Sequence, residues 1–132
     1  MRLLLDTHIA LWAVYEPDQL PKQARTLIAD ANNEIFVSAV SLWEIAIKHA
    51  IRRKGRPALP MSATEARSHF YERARYAPLG LSADHCCAVE ALPMLTADPF
   101  DRLLVAQATC EPMRLLTHDS ELAVYGESVI HT

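Results

Sequence analysis

Residues 3–8 read Leu-Leu-Leu-Asp-Thr-His (LLLDTH): a short apolar run, an acid, then a helical pattern through Ile9, Leu11, Trp12 and Tyr15. Three more acids sit where a strand-like run gives way to a helix. Glu44 lies in VSAVSLWEIAIK, Asp101 in DPFDRLLVAQA and Asp119 in RLLTHDSEL. Apolar runs alternating with helical segments imply βαβ units. The fold class is therefore α/β, with a central, mostly parallel sheet covered by helices on both faces. The carboxyl ends of parallel strands share one edge, and ligands bind there. Four carboxylates at one edge repel each other unless a cation holds them, and oxygen ligands suit Mg²⁺ or Mn²⁺.

Outward from these junctions, Pro17 ends the first helix and Pro21 starts a second, with Ala24, Leu27, Ile28 and Ala31 at helical spacing. A buried strand is predicted over 34–39 and a helix over 41–53, terminated by Gly55 and Pro57. Further helices are predicted over 62–75, 82–91 and from Asp98 to near Cys110, with a helical turn over 121–125. Short strands are predicted over 76–81, Arg114–Thr117 and 128–131, giving four or five strands and six or seven helices. A chain of 132 residues without repeat or linker is expected to be one domain, 1–132.

An apolar fraction of 51% with 7% aromatics predicts an aliphatic globular core. No apolar run approaches the ~18 residues of a membrane span, and Asp6 interrupts the first one too early for a signal peptide. Three cysteines, two adjacent, make no disulfide framework, so a reducing cytoplasm is expected. The net charge of −3 argues against wholesale nucleic-acid coating, but Lys48, Arg52, Arg53, Lys54 and Arg56 cluster. That cluster suits either a helix C-terminus or a patch contacting RNA phosphates.

Each acid also has an ordinary structural explanation. Ser41 and Glu44 match a capping box, Asp98-Pro99-Phe100-Asp101 matches a helix start, and Asp6 and Asp119 can each cap the helix that follows. Capping requires an oxygen and not a charge, and Thr7, Ser41 and Thr117 are at hand to cap. Helix dipoles are expected to lower the carboxylate pKa values and keep the cluster ionised. A metal site of carboxylates alone typically handles phosphates. The three glycines form neither a P-loop nor a dinucleotide fingerprint.

LLLDTHIALW, VSAVSLWEIAIK, LPMLTADPFDRLLVAQA and LLTHDSELAVYG resemble, in order and spacing, the PIN-domain ribonucleases, especially toxins of the VapC type. The resemblance covers essentially the whole chain, and DPFDRLLVAQA is its most specific part. It implies an α/β/α sandwich and a Mg²⁺/Mn²⁺-dependent endoribonuclease acting on RNA, usually a homodimer inhibited by a cognate antitoxin. By position, Asp6, Glu44 and Asp101 become the principal metal ligands and Asp119 the fourth acid, supported by Thr7 and Thr117. Asp98 reads as a helix cap. Thr96 and His118 depart from the family pattern, which often has a histidine before DPFDR and a basic residue before the fourth acid.

Arg102, Arg52 and Arg53 are candidate phosphate contacts, with an internal ion pair as the other reading of Arg102. Trp12 and Trp43 read as core or interface residues, His8 as packing near the helix start, and Cys86 and Cys87 as buried or incidental. Two other functions compete. A catalytically silent PIN-like RNA- or protein-binding module has no need of mutually repelling acids. An aspartyl-nucleophile phosphatase expects an Asp where this chain has His8.

Overall fold

The computed structural model describes residues 1–132 apart from Lys54 and Ala58, with backbone alone for Arg52, Arg53, Arg56 and Pro57. Five parallel strands form the central sheet: β1 (Arg2–Leu5), β2 (Glu34–Ser38), β5 (Ala77–Leu79), β6 (Arg114–Thr117) and β7 (Val129–His131). Their order is β5-β2-β1-β6-β7, and every pairing is parallel. A two-stranded antiparallel hairpin, β3 (Arg52–Arg53) with β4 (Arg56–Pro57), lies outside this sheet.

Leu3, Leu4 and Leu5 are all fully buried because helices cover both faces. Leu3 and Leu5 pack with α1 (Thr7–Tyr15), α2 (Lys22–Ala29) and α4 (Ala63–Arg67) through Ile9, Ala24 and Ala66. Leu4, on the other face, packs with Leu104 and Ala108 of α6 (Pro99–Cys110), which α5 (Ala83–Ala88) adjoins. The helix α3 (Ala39–Ala50) serves both cores, Ile45 joining one and Val40 the other. The result is an α/β/α sandwich. Truncating Leu4 or Leu104 to alanine removes contacts worth ~2–5 kcal/mol each.

The chain runs outward from β1 to β2 and β5, then returns to lay β6 on the other side of β1. This is the switch point at which open α/β sheets bind ligands. The carboxyl ends of β1 and β6 meet there, and the Asp6 amide continues their pairing by donating to the Leu116 carbonyl at 2.9 Å.

The boundaries that matter to the site differ from the sequence prediction at both ends of α3. The helix expected over 41–53 begins at Ala39, because the Ser38 hydroxyl caps it by accepting from the Val40 amide. It stops at Ala50, where Ile51 is extended and the chain enters the hairpin at which Gly55 takes a left-handed φ of 77°.

Candidate active site

Asp6 ends β1 and caps α1, its Oδ1 accepting from the Thr7 amide at 2.7 Å. Its Oδ2 accepts from the Thr117 hydroxyl at 2.6 Å, and that hydroxyl oxygen accepts from the Asp119 amide at 3.0 Å. One threonine thus ties the ends of the two central strands together. Asp119 also caps, accepting from the Glu121 amide at 2.9 Å.

Glu44 does not reach back to form a capping box with Ser41. Because Ser38 has shifted the helix start upstream, Glu44 lies in the second turn of α3 and only 3% exposed. Its Oε1 accepts from the Thr7 hydroxyl at 2.6 Å, and its Oε2 pairs with Lys48 Nζ at 2.5 Å. Thr7 Oγ1 also lies 2.9 Å from Ser41 Oγ. Thr7 has one hydroxyl proton, which goes to the charged acceptor, so Ser41 donates to Thr7. Thr7 and Ser41 therefore hold Glu44 in place and do not cap helices.

Asp98 caps α6, its Oδ1 accepting from the amides of Phe100 and Asp101 at 2.9 and 3.3 Å. That leaves the Asp101 side chain free of capping duty. Among the described residues no donor meets the Asp101 carboxylate.

These acids line one cavity of about 290 Å³, together with His8, Trp12, Lys48 and His118. Five carboxylates, those of Asp6, Glu44, Asp98, Asp101 and Asp119, face it with one lysine. For Asp6 and Asp101 the consequence for protonation reverses the sequence expectation of low carboxylate pKa values. Burial, then the charges of Asp6, Asp98, Glu44 and Asp119, push the Asp101 carboxyl up to about 8. Burial also raises Asp6, although Thr117, His8 and the Thr7 amide pull the other way. Desolvation and crowding outweigh the helix dipoles. Burial lowers the Lys48 ammonium, but the hydrogen bond and charge of Glu44, with Asp98 and Asp101, leave it raised overall.

The donor set fits a hard divalent cation: carboxylate oxygens, hydroxyls behind them, and an acid ionised only at a cost that burial and then its acidic neighbours impose. Among the described residues, no three His, Cys, Asp or Glu side chains stand where they could share one ion. Asp6, Glu44 and Asp119 are held by hydrogen bonds, whereas the half-buried Asp101 carboxylate meets no donor among the described residues.

Arg102 is corrected from a candidate phosphate contact to a buried staple. Its guanidinium donates to the carbonyls of Pro93 at 3.0 Å and Val89 at 3.1 Å, and not to an acid. Of the basic cluster, Arg52 and Arg53 lie in the hairpin and not at the end of a helix, and Lys54 is outside the described residues. Lys48 is the site residue that its role in that cluster concealed, although Glu44 and Lys48 at i, i+4 spacing announce a helical ion pair. Trp12 and His8 line the cavity, Trp43 is exposed, and Cys86, Cys87 and Cys110 are exposed free thiols.

A family model of the PIN domain matches residues 3–127. The chain belongs to the PIN-domain family, of the VapC type. It is 31% identical over 121 residues to the ribonuclease VapC22 of Mycobacterium tuberculosis, covering 91% of this chain and 88% of the relative. Its fold is shared with VapBC2 from Rickettsia felis, solved bound to a DNA fragment from their promoter. That match has a TM-score of 0.69 at 19% identity and covers 100% of this chain and 98% of the other. A toxin–antitoxin complex from Klebsiella pneumoniae gives a TM-score of 0.59 at 17% identity, covering 97% and 95%. No helix among the described residues is long and apolar enough to cross a membrane.

Proposed function

We propose that residues 1–132 form a single nuclease domain, an endoribonuclease dependent on Mg²⁺ or Mn²⁺. The observation that carries this reading is the half-buried Asp101 carboxyl, surrounded by four other acids at the sheet's switch point. Asp6, Glu44, Asp101 and Asp119 would hold the ion, with Asp6, Glu44 and Asp119 preset by hydrogen bonds and Asp101 adjusting to it. Bound there, the ion would activate a water and neutralise charge on the phosphoryl group. The chain's own contribution is to fix the acids: Thr117 orients Asp6 and braces the Asp119 backbone, and Thr7 orients Glu44.

The kinship with a named ribonuclease supports RNA as substrate, and the shared fold with toxin–antitoxin complexes supports a cognate antitoxin. Trp43 and Ile47 project exposed from α3 at four-residue spacing, with exposed Ile51 just past its end, apolar surface of the kind a homodimer or an antitoxin covers. The free thiols accord with a reducing cytoplasm. Expression of the wild-type chain alone is expected to arrest growth and create new RNA 5′ ends, whereas Asp6→Ala does neither. Co-expression of the neighbouring gene restores growth. Arrest by Asp6→Ala as severe as by wild type would refute the proposal.

A further inference from the structure

The mouth of the acidic cavity has a wall of flat rings that the acid chemistry does not use. His8 and Trp12, one turn apart on α1, have ring centroids 6.2 Å apart. Trp12 and His118, on the loop after β6, meet in a T-shaped arrangement with ring centroids 5.7 Å apart. His131 on β7 backs His118, nearly parallel at 19° and 6.2 Å. His118 is locked in this pose because its Nδ1–H donates to the Thr132 main-chain oxygen at 2.6 Å. Trp12 packs against the core beneath α1 while also lining the cavity with His8 and His118.

We propose that Trp12, with His8 and His118, is a stacking subsite for one unpaired base of the RNA strand beside the phosphate that is cut. This rests on the nuclease reading above. The one lysine lining the cavity is paired with Glu44, so its described lining offers an RNA strand no free lysine or arginine, and a grip that does not depend on charge would complement the ion. Aromatic rings supply it, because every base has a π-face, and unpaired RNA is commonly held this way. Stacking at this wall also differs from a basic patch in a measurable respect. It releases no counterions, so its loss leaves the salt dependence of binding unchanged.

The test uses the full chain in EDTA, in a Trp43→Phe background where Trp12 is the sole tryptophan. The probe is an unpaired RNA of about 10 nucleotides, within the usual single-strand site size. Binding is expected to quench Trp12 fluorescence. Trp12→Leu weakens binding about 5- to 150-fold, the range of one stacked base, without altering the salt slope. Trp12→Phe restores most of the affinity, and His118→Ala, at an exposed position, weakens it less. One abasic position in the RNA reproduces the Trp12→Leu loss and adds nothing to it in that variant. Unquenched fluorescence on binding, a flat abasic scan, or undiminished affinity in both folded Trp12→Leu and His118→Ala would overturn the subsite. If the parent still cleaves RNA with Mn²⁺, the nuclease reading survives. A parent that neither binds nor cuts RNA defeats both.

Discussion

Replacing Asp101 with asparagine should make the metal-free protein more stable while impairing it as an enzyme. In the folded chain this carboxyl is raised from the ordinary 3.8 to about 8. Taken at face value that corresponds to about 6 kcal/mol of unfavourable ionisation. Asp101 is only half-buried, so solvent screening reduces the expected gain to ~1–2 kcal/mol. The sign follows from proton linkage. Because the folded pKa lies above the unfolded one, the folded state holds the extra proton between about pH 4 and 8. The stability this proton confers is complete below pH 4 and is lost as pH rises through about 8. Urea unfolding followed by circular dichroism, in EDTA from pH 5 to 9, should therefore show wild type losing stability with pH. Asp101→Asn should show a shallower slope, since Asp6, raised by burial, still contributes. The helix start is unharmed, because Asp98 provides the cap. With saturating Mn²⁺ the order should reverse, since an ion that binds only the folded state stabilises wild type more. A variant no more stable than wild type at pH 8 in EDTA would refute the argument from burial and charge crowding, and unchanged Mn²⁺ affinity would remove Asp101 from the ligand set.

Lys48→Met should strand the buried Glu44 carboxylate, lowering metal-free stability by ~1–3 kcal/mol. It should also tighten Mn²⁺ binding by freeing Oε2, so denaturation and calorimetry should move in opposite directions. Thr117→Val keeps the shape but removes the hydroxyl shared by Asp6 and Asp119, costing ~1–3 kcal/mol. The loss of that hydrogen bond raises Asp6 further, so the acid limb of the pH–rate profile should shift upward. Arg102→Met should cost ~2–4 kcal/mol through the lost bonds to Val89 and Pro93. Its folded fraction should cleave with unchanged kcat/KM, whereas a large drop would restore Arg102 as a substrate contact.

The strands and their polarity were legible because each buried strand is a short aliphatic run followed by a helix start, and the helix from Pro99 to Cys110 is announced by Asp98 and Pro99. Strand polarity placed Asp6 and Asp119 just past the ends of β1 and β6, whereas Glu44 reaches the same cavity from the second turn of α3 and Asp101 from the start of α6, which follows a loop and not a strand. What escaped depended on competition between neighbours. Ser38 and Ser41 are both able cap residues, and only packing decides that Ser38 caps while Ser41 turns inward to Thr7. The hairpin after α3 was hidden by a run of basic residues compatible with a helix. The raised pKa values depend on how many acids are brought together and how deeply, which no local sequence reading measures. The ring wall joins residues more than 100 positions apart, and nothing local pairs Trp12 with His118.

The central claim is metal-dependent RNA hydrolysis by the acids at this sheet edge. It is tested most directly by incubating the purified chain with defined RNAs in Mn²⁺, Mg²⁺ or EDTA, beside Asp6→Ala, and mapping the cut ends. Cleavage at discrete sites in either ion, abolished by EDTA and by Asp6→Ala, is the predicted result. Equal cleavage in EDTA, or by Asp6→Ala, would contradict it.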